Sequence, residues 1–132
     1  MGLGGRDSKV TAHAYQLYRQ TQVSTASPGE LLLMLFDGAI RFARQAQEHL
    51  RQGDLEAANS KLIRVQDIVS ELNLSLDLSV GEIAVNLQQL YTYIYDRLVQ
   101  ANIRKDPEIV EEALVLLMEL RDTWEQVVAQ TR

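Results

Sequence analysis

The chain's 132 residues suffice for one domain with its own core. Of these, 46% are hydrophobic but only 6% aromatic, a composition that favours helices. The absence of cysteine excludes a disulfide framework, thiolate metal sites and thiol catalysis, and it suits a reducing compartment. A net charge of −5 argues against holding nucleic acid by phosphate neutralisation.

Residues 1–9 are Gly-rich and polar and are expected to lack fixed structure. Residues 10–24 place Ala14, Tyr15, Leu17 and Tyr18 close together, as in a short amphipathic helix that must dock on something or fray. The organisation expected is therefore a leader and cap segment over residues 1–24, followed by a helical domain over 25–132. No stretch near the N-terminus has the pattern of a signal peptide. The longest apolar run, Leu31 to Phe36, falls far short of the ~20 residues of a membrane span, so a soluble cytoplasmic protein without membrane insertion is expected.

The first long helix begins at Ser27-Pro28-Gly29-Glu30, with Ser27 as cap, Pro28 at the first helical position and Glu30 completing a capping box. Its apolar stripe reads Leu32, Leu35, Ala39, Phe42, Ala46, Leu50, and Gly53 stops it. Asp54 caps a second helix whose stripe is Leu55, Ala58, Leu62, Val65, Val69, Leu72, Leu76, the alternating spacing of a bundle seam. A break at Leu78-Ser79-Val80-Gly81 follows, with Ser79 and Glu82 spaced as a second capping box. The third stripe is Ile83, Leu87, Leu90, Ile94, Leu98, Ala101, and Arg104 and Lys105 suit the negative end of that helix. Asp106-Pro107 restarts the chain as a fourth helix with the stripe Ile109, Ala113, Leu116, Leu120, Trp124, Val127. Four helices joined by short breaks predict an all-α, antiparallel up-and-down four-helix bundle with a short N-terminal segment.

Nothing in the sequence resembles an active site. The two histidines, His13 and His49, lack the Glu-x-x-His spacing of di-metal bundles, and no set of four ligands can be assembled. Neither a phosphate loop nor a Gly-x-Ser-x-Gly turn occurs. Asp37 is expected to pair with Arg41 one turn on, whereas Asp96–Arg97 and Arg121–Asp122 are adjacent and do not face each other. An enzyme, a bound cofactor and a metal are therefore not expected.

Surplus apolar surface points elsewhere. Val85, Thr92, Val99 and Ile103 lie nearly opposite the core stripe of the third helix, and Ile63 and Leu74 lie off the seam of the second. Such residues are either scattered surface side chains or a contiguous groove for a partner. Tyr91 and Tyr95 share a helical face that flanks the core, suited to bundle-edge packing or to a partner contact.

Several segments carry a resemblance to a known family. VSTASPGELLLMLFDGAIRFARQA, GDLEAANSKLIRVQDIVSELNLSLD and GEIAVNLQQLYTYIYDRLVQANIRKDPEIVEEALVLLMELRDTWEQV resemble, in that order, the flagellar secretion chaperones of the FliS family, from about Tyr15 to Val128. The most telling pieces are Thr25-Ala26-Ser27-Pro28, Leu35-Phe36-Asp37-Gly38-Ala39, Leu90-Tyr91-Tyr93 and Asp122-Thr123-Trp124. The resemblance implies a cytoplasmic export chaperone that binds the disordered C-terminal segment of flagellin, prevents premature polymerisation and delivers it to a component of the flagellar type III export gate. It also implies an N-terminal segment that folds over part of the binding surface, with Tyr15 in the place of a tyrosine linked to partner and export interactions. The expected partner-binding residues are thus Tyr15, Leu17, Tyr18, Ile63, Leu74, Val85, Tyr91, Tyr95, Val99 and Ile103, on a monomer or weak homodimer. The alternative is a helical homo-oligomeric structural or adaptor protein, with the surplus apolar strips buried between identical copies.

Overall fold

The computed structural model describes residues 27–131. By its contacts the chain divides into two compact units, Met1–Leu31 and Leu32–Arg132. The calls on residues 1–24, including Tyr15, Leu17 and Tyr18, lie outside the described residues. Among the described residues there are four α-helices and one short 3-10 turn, and no strand: α1 Pro28–Arg51, α2 Leu55–Leu74, the turn Leu78–Val80, α3 Glu82–Arg104 and α4 Pro107–Thr131.

The helix ends follow from local chemistry. The capping box is reciprocal: Ser27 N donates to Glu30 Oε1 at 3.0 Å and Glu30 N to Ser27 Oγ at 3.2 Å. At the other end of α1, Asp54 N donates to His49 O at 2.9 Å and Gly53 N to Leu50 O at 3.1 Å, a Schellman closure with Gly53 at φ 79°. Asp54 Oδ1 accepts from Ala57 N at 3.2 Å to start α2, and Asp106 Oδ1 accepts from Glu108 N at 2.9 Å to start α4. Between α2 and α3 the expected Ser79–Glu82 capping box does not form. Asp77 instead caps the 3-10 turn through Ser79 N, and Gly81, at φ 122°, enters α3 with no side-chain cap.

Cross-helix pairs give the topology. Along α1 and α4, Asp37 meets Arg121, Arg44 meets Met118 and Gln47 meets Glu111, so the two run antiparallel. The Phe42 ring faces Lys61 and Arg64 of α2, Asn59 of α2 accepts from Asn102 of α3 at 2.6 Å, and Arg97 of α3 pairs with Glu112 of α4 at 3.0 Å. Each helix thus has two neighbours in an antiparallel four-helix bundle.

The core contains Phe36, Leu62, Val65, Leu72, Ile94, Leu98 and Leu117. It includes part of two expected stripes and shifts the rest of each by one residue. On α1 the expected Ala39, Ala46 and Leu50 are buried and are joined by Leu33, Phe36, Ile40 and Ala43, while Leu32, Leu35 and Phe42 are only partly covered. On α4 the expected Ile109 and Ala113 are buried and are joined by Val110, Leu114, Leu117 and Val128, with Leu116, Leu120 and Trp124 partly covered and Val127 exposed. Both helices are apolar over wide arcs, so several stripes fit each sequence, and contact with two neighbours selects the one between them. Leu55 and Ile83, at helix starts on the ends of the bundle, are exposed rather than core. Tyr91, expected at the edge, is only 2% exposed.

The charge pairs also differ from expectation. Asp37 turns away from Arg41 and accepts from Arg121 Nε at 2.9 Å, and Arg121 also reaches Glu125 at 2.6 Å and Asp122 at 3.7 Å. The Tyr93 hydroxyl donates to Glu112, and that bond, with Arg97, holds the Glu112 carboxyl below its ordinary range. Buried Gln47 donates to Pro107 O at 3.2 Å and Glu111 Oε1 at 2.8 Å, fastening α1 to the start of α4.

Two glycines should respond oppositely to alanine. A Cβ on Gly38, inside α1, would meet Ile68 Cδ1 at 3.6 Å, an ordinary contact, so Gly38→Ala is expected to stabilise the fold by about 0.5–1 kcal/mol. Gly53→Ala meets no atom but must hold a left-handed backbone and is expected to cost about 1 kcal/mol. Urea titration of both variants measures the two signs.

Candidate partner-binding site

The apolar seams run past the closed part of the core and open into a cleft of about 460 Å³ at one end of the bundle. Leu32 of α1, Leu76 and Val80 of the connection, Ile83 and Leu87 of α3, and Leu120 and Val127 of α4 form its walls. Tyr91 and Trp124 also line it. Burial pushes the Tyr91 phenol above its ordinary range, so it remains a neutral, packed group at physiological pH.

The wall between α2 and α3 is held by short-range bonds. Ser75 Oγ donates to Leu72 O at 2.7 Å, Leu76 N to Asn73 O at 3.2 Å, and Ser79 N and Oγ to Asp77 Oδ1 at 3.0 and 2.6 Å. Those two bonds draw the Asp77 carboxyl below its ordinary value and occupy it within the turn. Val80 and Ile83 are consequently fixed with 67% of their surface in water. A cleft of this size, lined by apolar side chains with polar groups only from Ser75, Asp77 and Thr123, suits an apolar peptide segment rather than a reacting small molecule.

A second, smaller concavity of about 210 Å³ lies between α2 and α3, lined by Val69, Ser70, Asn73, Tyr91, Thr92 and Tyr95. Tyr91 lines both concavities from beneath. The Asn59–Asn102 bond sets the antiparallel register of α2 and α3. Four residues along α2 and three back along α3, rises of about 6 and 4.5 Å, bring Ile63 level with Val99. Val85 and Ile103 lie about 27 Å apart along α3.

Of the residues expected to contact a partner, Tyr91 and Tyr95 line the α2–α3 concavity, whereas Ile63 and Ile103 are exposed and Val99 is half-buried, and none of these three lines either concavity. Val85 is exposed on α3, and Leu74, the last residue of α2, is 80% exposed. The sequence reading missed the end cleft because Leu76, Ile83, Leu87, Leu120, Trp124 and Val127 were all in phase with core stripes. The signal available was that the third and fourth stripes extend to the ends of their helices, where fewer neighbours can cover them. Among the described residues no cluster of His, Asp or Glu could hold a metal ion, and no helix is long and apolar enough to cross a membrane.

Residues 11–131 match the family model described as flagellar protein FliS. The chain is similar to the flagellar secretion chaperone FliS of Bacillus subtilis, with 39% identity over 118 residues, 89% of this chain and 88% of that one. The flagellar secretion chaperone FliS of Salmonella typhimurium is 39% identical over 122 residues, 91% of this chain and 90% of the relative. That of Vibrio cholerae is 32% identical over 108 residues, 81% and 79% of the two.

Proposed function

Because the chain belongs to the flagellar protein FliS family, a family of export chaperones and not enzymes, we propose that it holds the disordered C-terminal segment of flagellin in the cytoplasm, prevents its premature polymerisation and delivers it to the flagellar type III export apparatus. The observation that carries the reading is the open, apolar cleft of about 460 Å³ at the end of the bundle, with a second concavity beside it between α2 and α3. A segment disordered when free loses conformational entropy on binding and needs a long apolar track to offset it. Ile63, Val85, Tyr95, Val99 and Ile103 are the proposed contacts on α2 and α3, with Leu74 at the end of α2 and Tyr91 beneath both concavities. The chaperone acts as a monomer or weak homodimer. Calorimetry with a flagellin C-terminal peptide tests this: saturable binding with one peptide per chain supports it, and no binding at millimolar peptide refutes it.

We further propose that residues 10–24, through Tyr15, Leu17 and Tyr18, compete with flagellin for apolar surface. A surface covered most of the time binds with an affinity lowered by the uncovered fraction. Deleting residues 1–22 is therefore expected to tighten peptide binding in the same calorimetric assay. Weaker binding would instead make those side chains direct contacts with the peptide.

A further inference from the structure

A different face of the bundle carries an arrangement that the holding of an apolar segment does not use. The Phe42 ring on α1, partly buried, is surrounded by three cations: Arg64 Cζ at 4.6 Å from its centroid, Arg41 Cζ at 5.2 Å and Lys61 Nζ at 5.3 Å. Among the described residues, none of the three forms an ion pair with a carboxylate. The nearest candidate in sequence, Asp37, is one turn before Arg41 but is bound to Arg121 instead. Gathering three like charges around one ring is unfavourable in itself, and the ring's negative face offsets only part of that repulsion. In a chain whose net charge is −5, this is a local concentration of unspent positive charge on a fixed aromatic platform.

We propose that the α1–α2 face around Phe42 is a docking site for an acidic segment of a second protein, recognised by Arg41, Lys61 and Arg64. Charge complementarity selects this occupant. The ring holds the two guanidinium groups in place before binding, so less side-chain freedom is lost when carboxylates arrive. Nucleic acid is disfavoured because three cations offer few phosphate contacts, whereas binding by phosphate neutralisation draws on many along the backbone. The face around Phe42 shares no residue with the lining of the end cleft or of the α2–α3 concavity. The chaperone can therefore hold an apolar segment in the cleft while an acidic partner grips the face around Phe42.

Decaglutamate peptide is the probe, added to ¹⁵N-labelled full-length protein at low ionic strength. Amide and side-chain signals of Arg41, Phe42, Lys61 and Arg64 are expected to shift together. The affinity is expected to fall steeply with salt as the screening length shrinks from about 10 Å at 0.1 M to about 3 Å at 1 M. The variant Arg41→Glu/Arg64→Glu is expected to bind at least about tenfold more weakly. Arg51→Glu/Arg104→Glu, with the same change in net charge, should stay within about twofold of the unaltered protein. Equal losses in both variants, or shifts spread over all the cations, would reduce the effect to net charge and overturn the proposal. Tighter binding of a ten-residue oligothymidylate at the same residues would make the ligand a nucleic acid and overturn it too. So would a dimer in sedimentation that the Arg41→Glu/Arg64→Glu change dissolves, since the occupant would then be a second copy. Because the shifts are read on unaltered protein, the proposal stays testable even if a variant unfolds.

Discussion

Val80→Asp/Ile83→Asp is expected to weaken binding of a flagellin C-terminal peptide by about two orders of magnitude, since a buried unpaired carboxylate costs several kcal/mol and tenfold in affinity is about 1.4 kcal/mol. Both side chains are largely in water in the free protein, so the folded state loses little packing. Ile83 is the second residue of α3, where an added carboxylate favours the helix start. The variant should therefore keep its stability to within about 0.5 kcal/mol while losing its partner. Denaturant titration and calorimetry on the same preparation separate the two effects. Unchanged affinity in a folded variant would remove the end cleft from the binding surface.

Leu62→Ala is expected to destabilise the bundle by about 3–5 kcal/mol, the upper part of the range for leucine truncation in a close-packed core. Leu62 is fully buried at the centre of the α2 seam among Val65, Val69 and the residues of α3. With total stability of about 5–15 kcal/mol for a domain of ordinary size, that is a large share of what holds it folded. Leu90, expected from its stripe to be equivalent, is only partly covered because the buried phase of α3 passes through Tyr91 instead. Leu90→Ala should accordingly cost about half as much, and Val99→Ala, at a half-buried site, about 1 kcal/mol or less. Urea titrations that ranked Val99 with Leu62 would contradict the division between core and surface.

The elements most legible in the sequence are those fixed within one turn of chain. The Ser27–Glu30 box, the Gly53 stop, the Asp54 cap and the Asp106-Pro107 start all depend on neighbours three or four residues away, and all form as their spacing predicts. The α2 seam was equally clear because polar residues flank it on both sides and leave one choice of face. Where the apolar arc is wide, as in Leu31 to Phe36 or Ala113 to Met118, the sequence permits several phases, and only the neighbouring helices decide between Leu32 and Leu33 or Leu116 and Leu117. The same limit hid the end cleft. Trp124 and Leu120 look like core residues in any periodic reading, yet they line an open cleft where the helices cease to cover one another. Asp37 shows the limit for charge: its local partner Arg41 was the natural choice, but α4 brings Arg121 to 2.9 Å. The free Arg41, which sequence spacing would have paired, then joins the cationic ring around Phe42.

The claim that the cleft and the neighbouring α2–α3 face together hold flagellin is most directly tested by intermolecular NOEs between methyl-labelled chaperone and unlabelled flagellin C-terminal peptide at saturation. The account predicts contacts to the peptide from the methyls of Ile83, Leu87, Leu120 and Val127 in the cleft, and from Ile63 and Val99 on that face. A saturated complex with contacts only from methyls elsewhere, such as Ile68 beside α1, would contradict it.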